Sequence, residues 1–442
     1  MTTSIKLAVI AAMAMGTTSA FATNGDNLIG LGAVSRGMGG TGIAHFMGAE
    51  STLSNPGLLA KQKGTEISFG GTYFHPSVEV TTTAGQSPLG PTAFGDHDTS
   101  DAKHNVIPEV AIAMELGDGF TFGIGMFGSA GMGVDFSDSP AIYGEAVSDG
   151  SPAYGGAPAG TVFPGTNVPY SVGLYSMKSS LQLMKFAPSI AYGQDNWGIG
   201  VAAVIQYGNL AMSFTNPAPV DGTGASFVYA DNYNGQGASQ DFGLGWQAGA
   251  YVEPIDGLVI GANYTSSIDM EYKNQISYIS QQFGYAPGTF SDHLEQPAEY
   301  GMGVAFTMSD LTLTTDIKRT EWAKAKGYED FGWQSTNGIA IGGQYVIDDL
   351  ALRAGFNYAE MPLEGQLDTR LNLLNYVMFP ATTQRHYTLG AGYAFSKQTA
   401  LDFALTWAPQ QETNVSGEGN GVGNINTKHE QYGVSAALKF NF

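Results

Sequence analysis

Large apolar residues and small ones take strict turns along much of this chain. In Phe120-Thr121-Phe122-Gly123-Ile124-Gly125-Met126 every even position is large and apolar, and every odd one is glycine or threonine. A repeat of two is the signature of a strand with two unlike faces, not of a helix. The rhythm returns in Trp197, Ile199, Val201, Ala203, Ile205 and Tyr207, in Leu350, Leu352, Ala354, Phe356 and Tyr358, and in Leu401, Phe403, Leu405 and Trp407. Aromatic residues gather at the strand ends, where an interfacial girdle would need them.

A soluble sandwich also alternates, so the connections have to decide. Six pairs of strands are joined by very short polar turns: Gly117-Asp118-Gly119, Gln194-Asp195-Asn196, Pro254-Ile255-Asp256-Gly257, Ser309-Asp310, Asp348-Asp349 and Ser396-Lys397-Gln398. Each is hairpin chemistry. Between them lie seven long Gly/Pro/Ser/Asp-rich connections, near residues 77 to 104, 130 to 178, 216 to 240, 275 to 295, 325 to 334, 362 to 382 and 411 to 428. With one strand before the hairpins (about Glu66 to Phe74) and one after (about Gln431 to Phe442), the count is fourteen. An even-numbered all-β, antiparallel transmembrane barrel with short turns on one side and long loops on the other is the expected architecture. Closure removes the sheet edges that lipid cannot tolerate.

Composition narrows the function classes. The chain has no cysteine, which removes disulfides, thiolate metal sites and cysteine nucleophiles. Its charge of 18 − 39 = −21, with no basic block, argues against nucleic-acid binding. Residues 1–22 have the layout of a cleaved secretory signal: Lys6, the apolar run Leu7 to Met15, and the small-residue site Ala20-Phe21-Ala22. The expected location is therefore the outer membrane of a Gram-negative bacterium. Residues 23–64 stand apart from the alternation and are expected to form a glycine-dense plug inside the barrel of residues 65–442. Gly37, Gly39 and Gly42 satisfy a dinucleotide-binding spacing, but no strand precedes them and no long helix follows.

Ser35-Arg36-Gly37-Met38-Gly39-Gly40-Thr41-Gly42, followed by Asn55-Pro56-Gly57-Leu58, resembles the N-terminal hatch of the FadL/TodX (OmpP1) family of outer-membrane transporters of long-chain fatty acids and aromatic hydrocarbons. That family usually has alanine after the Asn-Pro pair, where this chain has Gly57. Asp316 to Trp322 is similar to a family strand ending in Thr-x-Trp. The terminal run Tyr432, Val434, Ala436, Leu438, Phe440, Phe442 resembles the signature read by the barrel assembly machinery.

The resemblance implies uptake of a fatty acid or other hydrophobic compound. Capture would fall to external loops, release to a rearrangement of the plug, and exit to a gap beside a kinked third strand. Gly128 and Gly131 are the expected kink. Apolar residues in external connections, among them Phe163, Tyr170, Leu371, Leu373, Leu374 and Phe379, are the expected capture surface. A fatty carboxylate in a low-dielectric lumen would seek a cation, and alternation points Lys318, Arg353 and Lys185 inward. The further expected partners are outer-membrane lipid and lipopolysaccharide, with the barrel monomeric. Neither a cofactor nor a metal is implied. An outer-membrane lipase would need a serine beside a histidine, and no convincing pair is present. A passive structural barrel would carry polar loops throughout.

Overall fold

The computed structural model describes residues 23–87, 90–92, 96–137, 177–215, 218–219, 227–228, 233–282, 285–417 and 422–442. The expected signal segment, Phe163 and Tyr170 lie outside them. Fourteen strands form the wall: β1 Thr65–Ser87, β2 Asn105–Gly117, β3 Phe120–Asp135, β4 Lys178–Gln194, β5 Trp197–Thr215, β6 Tyr233–Ile255, β7 Leu258–Thr265, β8 Glu299–Met308, β9 Leu311–Thr320, β10 Thr336–Ile347, β11 Leu350–Ala359, β12 Arg385–Ala394, β13 Thr399–Ser416 and β14 Val422–Asn441. Each pairs antiparallel with the next, and β14 pairs with β1 from Asn441↔Glu66 to Val422↔Ala84. The fourteen-stranded closed barrel read from the alternation is the observed fold.

All six short turns fall where the turn chemistry put them. Asp118, Ser309 and Asp348 take positive φ, the backbone that tight hairpins between right-twisted strands demand. The alternation sorts side chains by face. Phe69, Val106, Ile199, Leu244, Ile317 and Leu389 point outward and are exposed, as lipid-facing positions are. Aromatic rings collect at both ends of that band: Phe120, Tyr192 and Trp197 beside the short turns, and Phe356, Tyr387 and Trp407 toward the long loops. Among the described residues no helix is long and apolar enough to cross a membrane.

Two segments fill the interior. From one side comes the hatch, residues 23–64: two paired two-residue strands, helix α1 (Ala33–Gly37), and 3-10 turns at Glu50–Thr52 and Pro56–Lys61. From the other comes the connection between β11 and β12, where helix α3 (Thr369–Leu373) runs on into a wider turn, Leu374–Met378. The β7–β8 connection carries α2 (Ile276–Gln282). We call the β11–β12 connection the lid.

Candidate functional site

Backbone crowding explains the composition of the hatch. A side chain on Gly37 would meet the Gly390 Cα at 3.1 Å, and one on Gly39, whose φ is +70°, would enter the backbone of Phe356 at 2.7 Å. Hatch glycines face wall glycines because only there can two backbones touch. The same constraint accounts for Gly57. A Cβ at that position would press on the Gly249 carbonyl at 2.7 Å, so alanine has no room in this seat.

Polar contacts then fix the hatch around the ring. Arg36 pairs with Glu109 of β2 at 2.5 Å and donates to Thr72 of β1 at 2.6 Å. Asp316 of β9 accepts from Gly42 N and Ile43 N at 2.7 and 2.9 Å. Thr388 of β12 accepts from Gly39 N, and Asn357 of β11 donates to Gly39 O. Asn55 caps the turn at Gly57 N and donates to Ile43 O and to Ala250 O of β6. Glu50 accepts from Ser68, and burial pushes its carboxyl up to about 7 while nearby Lys439 pulls it back.

The lid enters the mouth from the opposite side. Leu373, Leu374, Val377, Met378 and Phe379 are buried, and Leu371 is half-buried. An exposed capture surface was the expectation for Leu371, Leu373, Leu374 and Phe379; they are packed inside instead. The cause is the barrel, which offers a run of nearly uninterrupted apolar residues a dry interior that no open loop supplies. Beneath the lid is a small apolar cavity lined chiefly by Met132, Leu210, Met212, Phe331, Trp333 and Phe379. Trp322, Tyr328 and Trp333 form one aromatic cluster beside it, with ring centroids 4.7 to 5.2 Å apart.

Against the hatch lies a second, larger cavity with a mixed polar and apolar lining. Lys185 and Lys318 both line it, together with Glu299, Asn27, Gln247 and Asn263. Glu299 accepts from Asn27 Nδ2 at 2.6 Å. Arg353 does not join the two lysines. It is bound to Asp402 at 2.6 Å and to Gln344 at 2.7 Å, close to Gly37 and Gly390. Asp26, next to Asn27 in the hatch, accepts through its carboxylate from Tyr328 of the apolar cavity and, at 2.8 Å, from Gln296. Burial pushes that carboxyl up to about 6 against those two hydrogen bonds.

Beside both cavities the wall changes partner. β2 and β3 pair from Gly117↔Phe120 only to Glu109↔Phe127. The rest of β2 stays with β1, while β3 follows β4 through a register shift between Gly128 and Ala130. Beyond that shift Ala130 pairs with Asn27 of the hatch, and Gly131 N donates to Asp26 O at 2.9 Å. Consecutive residues from Phe127 to Val134 are buried, so this half of β3 has no lipid-facing side. Gly128 and Gly131 thus sit where β3 exchanges a wall neighbour for a hatch neighbour. Asp26, Glu299, Tyr328 and Trp333 were not singled out by sequence reasoning. An acidic residue at an inward position of β8 was the available signal for Glu299.

Among the described residues no group of His, Asp and Glu is arranged to hold a metal ion. The family model for the outer membrane protein transport protein (OMPP1/FadL/TodX) matches residues 7–149 and 166–442. The chain belongs to that family. It is 24% identical to the 47 kDa outer membrane protein of Pasteurella multocida (strain Pm70), across 84% of this chain and 83% of that one. The fold is shared with the P. putida toluene transporter TodX (TM-score 0.64, 19% identity, 94% of this chain and 99% of that one). It is shared equally with a Pseudomonas aeruginosa FadL homologue (TM-score 0.64, 15% identity, 95% and 100%). This is an outer-membrane β-barrel of a transport family.

Proposed function

We propose that the protein is an uptake channel for long-chain fatty acids or other hydrophobic small molecules, without catalytic chemistry of its own. The observation that carries the reading is an apolar cavity beneath the lid together with a second cavity, against the hatch, that holds two lysines. An amphiphile has one end for each compartment. Its chain gains by leaving water for the methionines and aromatic rings. Its carboxylate meets Lys185 and Lys318, whose nearby counter-charges among the described residues include Glu299, Asp26 and Asp316.

Release follows from the hatch rather than from a wide pore. Asp26 and Asn27 hold the outer half of β3 through its backbone. A shift of those residues would leave that half of β3 without a partner beside β2, where a hydrophobic molecule could leave sideways into the membrane. Gly128 and Gly131 supply the bend. Outer-membrane lipid, lipopolysaccharide and the barrel assembly machinery are the remaining partners of this reading, and the barrel acts as a monomer.

Aromatic hydrocarbon uptake is the second reading, favoured by the cluster of Trp322, Tyr328 and Trp333. An uncharged ring needs no lysine. Uptake of labelled oleate and labelled toluene by cells with and without the protein separates the two. Dependence of oleate uptake on the protein selects the fatty-acid branch, dependence of toluene alone selects the other, and independence of both discards the channel.

A further inference from the structure

Hydrogen bonds fasten the lid to the wall at alternate carbonyls. Tyr376 O accepts from Thr427 Oγ1 at 2.8 Å, Met378 O from Ser179 Oγ at 2.5 Å, and Pro380 O from His429 Nδ1 at 2.9 Å. The first two fasteners are hydroxyls, which do not titrate in water. The third is an imidazole. His429 and His386 are both buried and are bridged by one side-chain amide. Gln431 Nε2 lies 3.1 Å from His429 Nε2, and Gln431 Oε1 lies 3.4 Å from His386 Nε2.

Counting donors along this row assigns the protons. A carbonyl only accepts, so His429 carries its hydrogen on Nδ1 and offers Nε2 to the Gln431 amide. The amide oxygen then accepts from His386 Nε2–H, and His386 Nδ1 has no hydrogen-bond partner. Both rings are neutral in this arrangement. A second proton on His429 would set an N–H against the amide N–H2. Turning the amide over relieves His429, but then His386 must move its hydrogen to Nδ1, where nothing accepts it. Two protonated rings leave the single amide oxygen facing two donors.

Among the described residues no charged group faces the pair to offset a proton. On β14 itself, Lys428 is held outside by Glu79 at 2.6 Å, and Glu430 accepts from Tyr432 and Trp407 on the outer face. Glu412 of β13 is bonded to Asn426 outside. The β1 partners in register are Val78 and Pro76, and the β11 partner of His386 is Asn357. On β12, Arg385 lies by the Tyr358 ring, 5.9 Å away. The lid contributes only Pro380, Ala381, Thr382 and Thr383. A charge placed here is buried without a counter-ion, which is among the costlier arrangements in a folded chain.

We propose that His429 and His386 make the lid acid-labile, so that protonation from the external side undoes the Pro380 fastener and frees Leu374 to Pro380 from the barrel mouth. This concerns the position of the lid and stands apart from which ligand is carried. The absence of cysteine makes a direct test available, because two introduced cysteines are the only sites that label. Spin labels at Leu367→Cys, fully exposed on the lid, and Asn426→Cys, half-buried on β14, report the separation of lid and wall in lipid nanodiscs.

Between about pH 7.5 and about pH 5, the range in which an imidazole titrates, a longer distance is expected to appear and to reverse on return. In the His429→Gln/His386→Gln protein, whose amides keep a donor for Pro380 without titrating, the longer distance is expected to vanish. Thr427→Val removes a fastener that does not titrate. It is expected to raise the open population at both pH values while leaving the pH response in place. A single distance in the parent at both pH values overturns the proposal. So does the same pH response in the glutamine variant, or in His429→Gln alone should the double variant fail to give the heat-modifiable band of a closed barrel.

Discussion

The hatch and the lid stopper the same barrel from opposite ends, and they are held in different ways. The hatch meets the wall through directional contacts from strands spread around the whole ring: Glu66 and Thr72, Glu109, Gln247, Asn263, Asp316, Asn357 and Thr388. The lid is held largely by apolar packing, and its side-chain-to-carbonyl fasteners on β4 and β14 are joined by contacts from Asn372 to Ser416 O of β13, from Asn375 to Phe331 O, and from Gln334 N to Pro362 O. Hydrogen bonds specify one position and lose their value within a fraction of an ångström. Apolar burial is non-directional and survives sliding. The hatch is therefore built to sit in one register, and the lid to yield.

The largest expected effect comes from breaking the hatch's buried ion pair. Arg36→Met leaves Glu109 uncompensated, a loss of about 3–5 kcal/mol in hatch seating. Planar-bilayer recordings should show a raised basal conductance while the barrel keeps its heat-modifiable mobility. Parent-level conductance would remove this pair from the hatch's anchors. Next come Leu373→Ser and Phe379→Ser, each costing about 3 kcal/mol of lid packing. Hydrophobic ligand binding, measured by calorimetry, should weaken without loss of barrel assembly; unchanged affinity would separate the lid from the binding chamber.

Smaller effects sharpen the contrast between the two cavities. Lys318→Met and Lys185→Met should each lower oleate affinity about tenfold, or about 1.4 kcal/mol, and leave toluene affinity as it was. Equal losses for both ligands would make the lysines structural. The smallest change is expected at the half-exposed Lys61–Glu253 pair on the hatch rim. Lys61→Ala should cost under about 1 kcal/mol, with conductance at the parent level. A leak there would place the hatch's weight on its rim instead of its buried core.

The wall was legible because its code is local. A two-residue rhythm and a turn such as Ser309-Asp310 state a hairpin within some twenty neighbouring residues, and six of the fourteen strand pairs are of this kind. The plug was legible only as crowding. Gly39 announces that something lies against it, yet its partner Phe356 is hundreds of positions away and nothing near either residue names the other. The lid failed in a different manner. Leu371 to Phe379 is visibly apolar, but whether such a run faces outward or turns into the mouth depends on the width of the barrel around it. The lysines divided along the same line: alternation aimed Lys185, Lys318 and Arg353 inward, and only the register of β11 against β12 and β13 brought Asp402 to Arg353.

The pairing of β14 with β1 has a consequence for biogenesis. The wall cannot close until β14 has arrived, because its seam joins the first wall strand to the last. The hatch emerges first and must wait, unenclosed, through the delivery of every strand that will surround it. Until then Ile29, Val34, Met38, Ile43 and Leu58, all buried in the finished barrel, lie open beside a half-built sheet, which makes that interval the stage most exposed to clumping.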